Sequence, residues 1–131
     1  MIAATALVAG TLAPALAVMR NAMASSRELS QRNLLANYAV RSLEVASGTT
    51  MQAWTTGTTA GDFAADGYST IRYSITRSDA PANGGVTNRL MHVQVTTYAD
   101  ANGNAALDAN EIAVRLRTKV AKLLTYANEP N

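Results

Sequence analysis

Most of the first 19 residues of the chain are apolar and none is charged, and the first charged side chain is Arg20. As a helix, this segment would be about 28 Å long at about 1.5 Å per residue, close to a hydrocarbon core of about 30 Å. Its Ala, Gly and Thr residues are of the small kind that lets helices approach closely in a bilayer or a bundle. The pattern favours a retained helix of bilayer length over residues 1–19.

Two other interpretations of this segment stay open. In a cleaved signal peptide, Ala15-Leu16-Ala17 would be the small-x-small cleavage site, although no Lys or Arg precedes the apolar stretch. In a buried soluble helix, residues 1–19 would have to be covered by protein on every side, because apolar residues surround that helix completely.

Residues 20–47 contain no Pro and no Gly and are rich in Ala, Leu, Arg, Glu, Ser and Asn. Apolar residues recur there at helical spacing, and this stripe consists of Leu34, Leu35, Tyr38, Ala39 and Leu43. Gly48 then provides a stop signal for the helix. One helix is therefore predicted from residue 1 to about residue 47, apolar first and amphipathic afterwards.

Three later runs alternate apolar and polar residues, at residues 69–77, 90–98 and 112–120. Their apolar positions are Ile71, Tyr73, Ile75, Met91, Val93, Val95, Ile112, Val114, Leu116 and Val120. Each run has one apolar and one polar face, as expected of an antiparallel meander that covers the helical stripe. Residues 49–67, rich in Thr, Gly and Ala, are predicted to be an irregular connection that Trp54 and Phe63 anchor to the core.

These elements predict an α+β fold class, in which a long N-terminal helix over residues 1–47 packs against a small antiparallel β-sheet. The sheet belongs to a globular domain over residues 48–131. The solitary His92 lies on the polar face of a predicted strand, and no nucleophile elbow or phosphate loop accompanies it. We therefore expect no catalytic site, no small-molecule substrate and no enzyme activity.

The letters MIAATALV at residues 1–8 are similar to a segment of type IV pilins and of the minor pseudopilins of type II secretion. That family begins with phenylalanine-threonine-leucine-isoleucine-glutamate-valine-methionine and continues as an apolar, then amphipathic helix. Residues 1–8 resemble the continuation from its methionine, so the family's glutamate would lie two positions before Met1. No residue of this protein therefore inherits that glutamate's role.

The resemblance implies a pilin-like architecture and a structural role. Such a subunit polymerises through its N-terminal helix into a pilus or a secretion pseudopilus, with itself and other pilin-like subunits as partners. It would sit in the bacterial inner membrane with a periplasmic domain, and afterwards in a periplasmic or surface filament. The alternative is an exported calcium-binding or interaction domain with a cleaved signal peptide or a simple membrane anchor, which does not polymerise.

A candidate calcium-binding loop covers residues 100–111, which read DANGNAALDANE between the second and third predicted strands. Oxygen-bearing side chains at loop positions 1, 3, 5, 9 and 12 resemble an EF-hand loop: Asp100, Asn102, Asn104, Asp108 and Glu111. Position 6, normally Gly, is Ala105, which a positive φ would strain by about 1 kcal/mol. The alternative is a polar hairpin loop in which Asn and Asp side chains make turn hydrogen bonds.

Composition narrows the choice of partners. The protein has 131 residues, a net charge of +2 from 11 basic and 9 acidic side chains, and no dense Lys/Arg block. A phosphate-tracking surface needs clustered cations, so nucleic acid is not an expected partner. The absence of Cys excludes disulfides, thiolate nucleophiles and Cys-ligated zinc.

Overall fold

One long helix precedes four strands in the computed structural model, which describes residues 2–123, with side chains from residue 14 onward. The elements are α1 (Ile2–Gln52), β1 (Gly57–Phe63), β2 (Tyr68–Ser78), β3 (Leu90–Ala99) and β4 (Ala113–Ala121). Short 3-10 turns at Ala64–Asp66 and Pro81–Asn83 join the strands of the first two hairpins. This arrangement confirms the predicted α+β class.

The protein divides into two compact units, residues 1–33 and 34–131. The first unit is helical throughout its described part, and from residue 14 all but one of its side chains are exposed. Arg32 and Glu28, one turn apart, form an exposed ion pair at 2.9 Å between Nη2 and Oε1. The side chains described in this unit therefore form no core of their own.

The second unit contains the sheet, in which each strand pairs antiparallel with the next in the order β1-β2-β3-β4. The three predicted strands are confirmed, with ends that differ by at most one residue. The interpretation of residues 49–67 as an irregular connection is wrong, because they include the last turn of α1 and the whole of β1. β1 reads GTTAGDF and buries little, so its hydrogen bonds to β2, rather than an apolar pattern, define it.

The helix ends at Gln52, so the prediction that it stops at Gly48 is wrong. Thr50 explains the extension, because its side chain is 1% exposed and its hydroxyl donates to the carbonyl of Ala46 at 2.6 Å. The same hydroxyl accepts a hydrogen bond from Nε of Arg77 on β2 at 3.2 Å. Packing of the last turn against the sheet thus outweighs the low helix propensity of Gly.

The core lies between α1 and the inner face of the sheet. The fully or nearly fully buried apolar residues are Leu35, Ala39, Ala46, Ile71, Ile75, Met91, Val93, Val95, Tyr98 and Val120. The predicted stripe is confirmed at Leu35 and Ala39, whereas Leu43 is only half-buried at its edge. Ser42, Ala46 and Thr50 continue the buried face, and these small side chains let the helix lie close to the strands.

Candidate calcium loop

The predicted calcium loop connects β3 to β4. Asp100 directly follows the last residue of β3, and Glu111 lies two residues before β4 begins. Asp100 is buried, Asp108 and Glu111 are half-buried, and Asn102 and Asn104 are exposed. All five predicted ligands are therefore in one loop.

Asp100 organises the first half of the loop. Its Oδ1 accepts the N–H of Gly103 at 2.9 Å, and its Oδ2 accepts the N–H of Ala105 at 2.9 Å and Nε of Arg72 at 2.8 Å. Burial raises the pKa of the Asp100 carboxyl, but the hydrogen bonds from Ala105, Arg72 and Gly103 outweigh it and hold the pKa below its ordinary value. The carboxylate is thus ionised and fully engaged.

Asn102, Asn104 and Asp108 meet at the outer side of the loop. The amide nitrogens of Asn102 and Asn104 donate to Oδ2 of Asp108 at 2.5 and 2.8 Å. The amide oxygens accept from the backbone two residues further on, from the N–H of Asn104 and of Ala106. These are Asx-type turns, in which short polar side chains replace backbone hydrogen bonds.

Glu111 closes the loop. Its Oε1 accepts the N–H of Ala101 and its Oε2 accepts the N–H of Asp108, both at 3.0 Å. Both carboxylate oxygens, which a calcium ion would take together, are therefore held by backbone donors from the two sides of the loop.

Ala105 has a φ of 62°, in the left-handed region that the EF-hand comparison requires at the sixth loop position. The hydroxyl of Tyr98 donates to the carbonyl oxygen of Ala105 at 3.0 Å and holds this conformation. Burial raises the pKa of Tyr98, which keeps the hydroxyl protonated as a donor. Ala105 therefore has the positive φ that the EF-hand resemblance implies, and the tyrosine that supports it was not foreseen.

Within residues 2–123, no group of three or more His, Cys, Asp or Glu side chains is arranged to hold a metal ion. The loop has the hydrogen bonds of the alternative polar-loop interpretation. Calcium binding stays a prediction, and it would require the ion to compete with backbone N–H groups for the same carboxylates.

Trp54 and His92, also considered in the sequence, differ in whether their ring nitrogens are paired. Trp54 is half-buried against the core, as predicted, and its Nε1 donates to Oδ2 of Asp79 at 3.2 Å. Together with the N–H of Asn88, which acts more strongly, this bond lowers the pKa of Asp79. His92 is half-buried on the outer face of β3, and its Nδ1 has no hydrogen-bond partner in the described part of the protein.

The predicted membrane segment consists mostly of residues whose side chains the structure does not describe. Among the described residues, no helix is apolar enough over a sufficient length to cross a bilayer. The side chains of residues 1–13, most of the predicted apolar segment, lie outside that part of the protein. The resemblance to pilins, which the sequence suggests in detail over about the first 45 residues, stays a prediction. No protein-family model, curated protein or solved structure matches the sequence or the fold.

Proposed function

We propose that this protein is a structural, non-enzymatic, pilin-like or pseudopilin-like subunit that assembles with itself and with similar subunits through its N-terminal helix. The observation that carries the proposal is the exposed apolar surface of α1 before residue 30. Between 55 and 67% of each of five large apolar residues there is exposed: Leu16, Val18, Met19, Met23 and Leu29. Apolar surface of this kind marks a contact with lipid or protein.

These side chains do not form one seam. At 3.6 residues per turn, Leu16, Met19 and Met23 lie on one side of the helix, and Val18 and Leu29 lie roughly a third of a turn away. A two-helix coiled coil would need a single narrow stripe. Apolar positions on two sides suit a helix with several neighbours, as in a bilayer or in the core of a filament.

In this proposal, lipid covers the N-terminal helix in the bacterial inner membrane, and neighbouring helices replace the lipid during assembly. Lipid tails are as apolar as Leu, so the exchange gains little hydrophobic energy and depends on close packing and matched polar groups. The β domain would lie in the periplasm and then on the outside of a periplasmic or surface filament.

Membrane fractionation and electron microscopy of the full-length protein expressed in bacteria test the proposal. We expect the protein in the membrane fraction, resistant to high salt but released by detergent, because apolar burial is not screened by ions. Met19→Glu with Met23→Glu should reduce membrane partition and abolish filaments. Val40→Glu with Met51→Glu, at exposed apolar positions of the second unit, should change neither. Equal behaviour of the two variants would contradict the proposal.

The second candidate is an exported calcium-binding or interaction domain with a cleaved signal peptide or a simple anchor. The observation that favours it is the left-handed Ala105, the backbone conformation an EF-hand-like loop needs. Sequencing the N-terminus of the purified protein separates the two, because cleavage after Ala17 would give a product that starts at Val18. That result would remove residues 1–17, and with them the apolar segment through which the first proposal holds the protein in the membrane.

A further inference from the structure

A cleft in the second unit lies between the outer side of α1 and the start of the sheet. It encloses about 280 Å³ and is lined in part by Val45, Phe63, Ala65, Tyr73 and Ile75. We call this the Phe63 cleft. The ring of Phe63 packs between those of Tyr38 at 4.2 Å and Tyr73 at 5.2 Å between centroids, so tilted aromatic rings in contact hold the wall of the cleft in place.

The size of the Phe63 cleft indicates what it can hold. Small-molecule sites enclose about 300–1,000 Å³, whereas a cavity of about 150 Å³ holds a benzene-sized group. At about 280 Å³ the cleft is large enough for a long apolar side chain and at the lower limit for a cofactor. Val45, which forms one wall, is 60% exposed, so the apolar surface is open to a partner.

The Phe63 cleft is bordered by two carboxylates and one guanidinium, those of Asp62, Asp66 and Arg41, so its rim carries one net negative charge. The segment over residues 57–67 carries Asp62 and Asp66 and no Lys or Arg. Asp66 accepts a hydrogen bond from Nη1 of Arg41 at 2.8 Å, whereas the hydrogen bond to Oδ1 of Asp62 comes from the N–H of Ala64 at 3.1 Å. The carboxylate of Asp62 is therefore the rim group with capacity for a further cation.

The protein itself offers a surface with the complementary properties. On α1, Leu16, Met19 and Met23 form an apolar ridge, which we call the Met23 ridge, and Arg20 and Arg27 lie one turn before and after Met23. All three apolar side chains are more than half exposed. Methionine is flexible enough to fill an irregular gap between aromatic rings.

We propose that the Met23 ridge of one copy docks in the Phe63 cleft of a second copy, with an arginine next to Met23 paired to Asp62. Because Arg20 and Arg27 flank Met23 on both sides, one of them reaches the acidic rim whichever way the neighbouring helix runs. The two surfaces differ, so the contact is head-to-tail and leaves a free ridge and a free cleft on every pair. Such a contact continues into open filaments unless it closes a ring.

This inference rests on the proposed function, since it names the subunit contact through which the helix would assemble. Disulfide trapping tests it without background, because the protein has no Cys. Copies with Met23→Cys and differently tagged copies with Val45→Cys are mixed and oxidised, and mixed dimers should exceed both homodimers at least fivefold. The matched control pairs Leu29→Cys, on another side of α1, with Val45→Cys and should give only the random yield. Random yields for both pairs would overturn the inference.

Charge exchange gives an independent readout. Asp62→Lys in the Val45→Cys copy, or Arg20→Asp with Arg27→Asp in the Met23→Cys copy, should each lower the mixed yield roughly two- to fivefold. The two changes together should restore it, which loss of folding cannot imitate. If filaments form but the mixed dimer does not, the docking fails while the proposed function stands. If the mixed dimer forms without filaments, the docking stands and polymerisation fails.

Discussion

The hydroxyl of Thr97 on β3 donates to the backbone carbonyl of Leu35 on α1 at 2.8 Å, and both residues are fully buried. The two residues are 62 positions apart in the sequence. A carbonyl has two lone pairs, so this oxygen can accept the hydroxyl in addition to a helical N–H. The bond fixes the height at which the helix crosses the sheet, which apolar contacts alone specify poorly.

Thr97→Val should lower the free energy of unfolding by about 1 kcal/mol. The substitution keeps the shape of the side chain and removes a buried hydrogen bond, whose net contribution is of that size. Urea unfolding measures it as a lower midpoint with an unchanged slope. Thr58→Val, on exposed β1, is the control and should stay within about 0.5 kcal/mol of the parent. Equal midpoints for the parent and Thr97→Val would show that the bond contributes nothing.

Leu35→Ala should cost about 2–5 kcal/mol, because its fully buried side chain would leave a cavity between helix and sheet. Val40→Ala, on the exposed side of the same helix, should cost less than about 0.5 kcal/mol. Leu35→Asp with Leu43→Asp should detach α1 from the sheet and expose the domain to protease. Most of that effect should come from Leu35, since Leu43 is half-buried. Unchanged proteolysis of the double variant would mean that the stripe faces solvent.

The strands that the sequence predicted are those whose buried faces consist of large apolar residues. Met91, Val93 and Val95 alternate with polar residues, so their inward face could be read directly. β1 was missed because its sequence gives no such contrast between apolar and polar positions. Gly61 fits its place in β1 because it leaves room for the ring of Tyr73. A Cβ on Gly61 would lie 2.6 Å from the Tyr73 hydroxyl. Such an approach depends on strand pairing and cannot be read from a local pattern.

In the candidate calcium loop, too, the local sequence pattern predicts only part of the structure. The spacing of its oxygen-bearing residues predicted one loop and the strain on Ala105. Which groups those oxygens contact depends on the loop's dihedral angles and on the register of β2 with β3. That register pairs Arg72 with Tyr98 and brings the guanidinium of Arg72 to Asp100. A sequence pattern identifies acceptors, but only the fold decides whether backbone donors or a cation reach them first.

Gly85→Ala and Gly48→Ala should change stability in opposite directions. A Cβ on Gly85 would lie 2.5 Å from the carbonyl carbon and Cα of Asp79, so the β2–β3 connection must move, at about 1–3 kcal/mol. Gly48 lies within α1 with nothing within 4 Å of the added carbon, so Ala there should stabilise by about 0.5–1 kcal/mol. Thermal unfolding of both variants measures the two signs. A stabilising Gly85→Ala would contradict the close approach.

Asp100 should make the fold sensitive to acid. Its pKa in the folded state lies below the ordinary value of 3.8, so its contribution to stability is present above that pH and is lost as the pH falls through the lower folded value. The difference in unfolding free energy between the parent and Asp100→Asn should therefore be constant near neutral pH and shrink below pH 3.8. Asp66→Asn, which breaks an exposed pair with Arg41, should show a small difference throughout. A difference that does not change with pH would exclude a role for the charge of Asp100.

Calcium should raise the melting temperature if Asp100, Asn102, Asn104, Asp108 and Glu111 bind the ion, because a ligand of the folded state stabilises it by mass action. We expect the rise only at millimolar calcium, since the ion must displace the N–H groups that Asp100 and Glu111 accept. Magnesium should raise it less, because its small octahedral shell suits a wide oxygen loop poorly.

Two substitutions separate the ion from the loop's own hydrogen bonds. Glu111→Gln replaces a charged, bidentate ligand by a neutral one, so it should remove the calcium shift. Its amide keeps one oxygen for the N–H of Ala101 but loses the acceptor for the N–H of Asp108, so the melting temperature without calcium should also fall. Ala105→Gly relieves the positive φ, which should raise the melting temperature without calcium and increase the calcium shift. Calorimetry at millimolar calcium decides between the two interpretations. Without binding heat in the parent and in Ala105→Gly, residues 100–111 are a hydrogen-bonded hairpin loop, because the least strained form of the site would also fail to bind the ion.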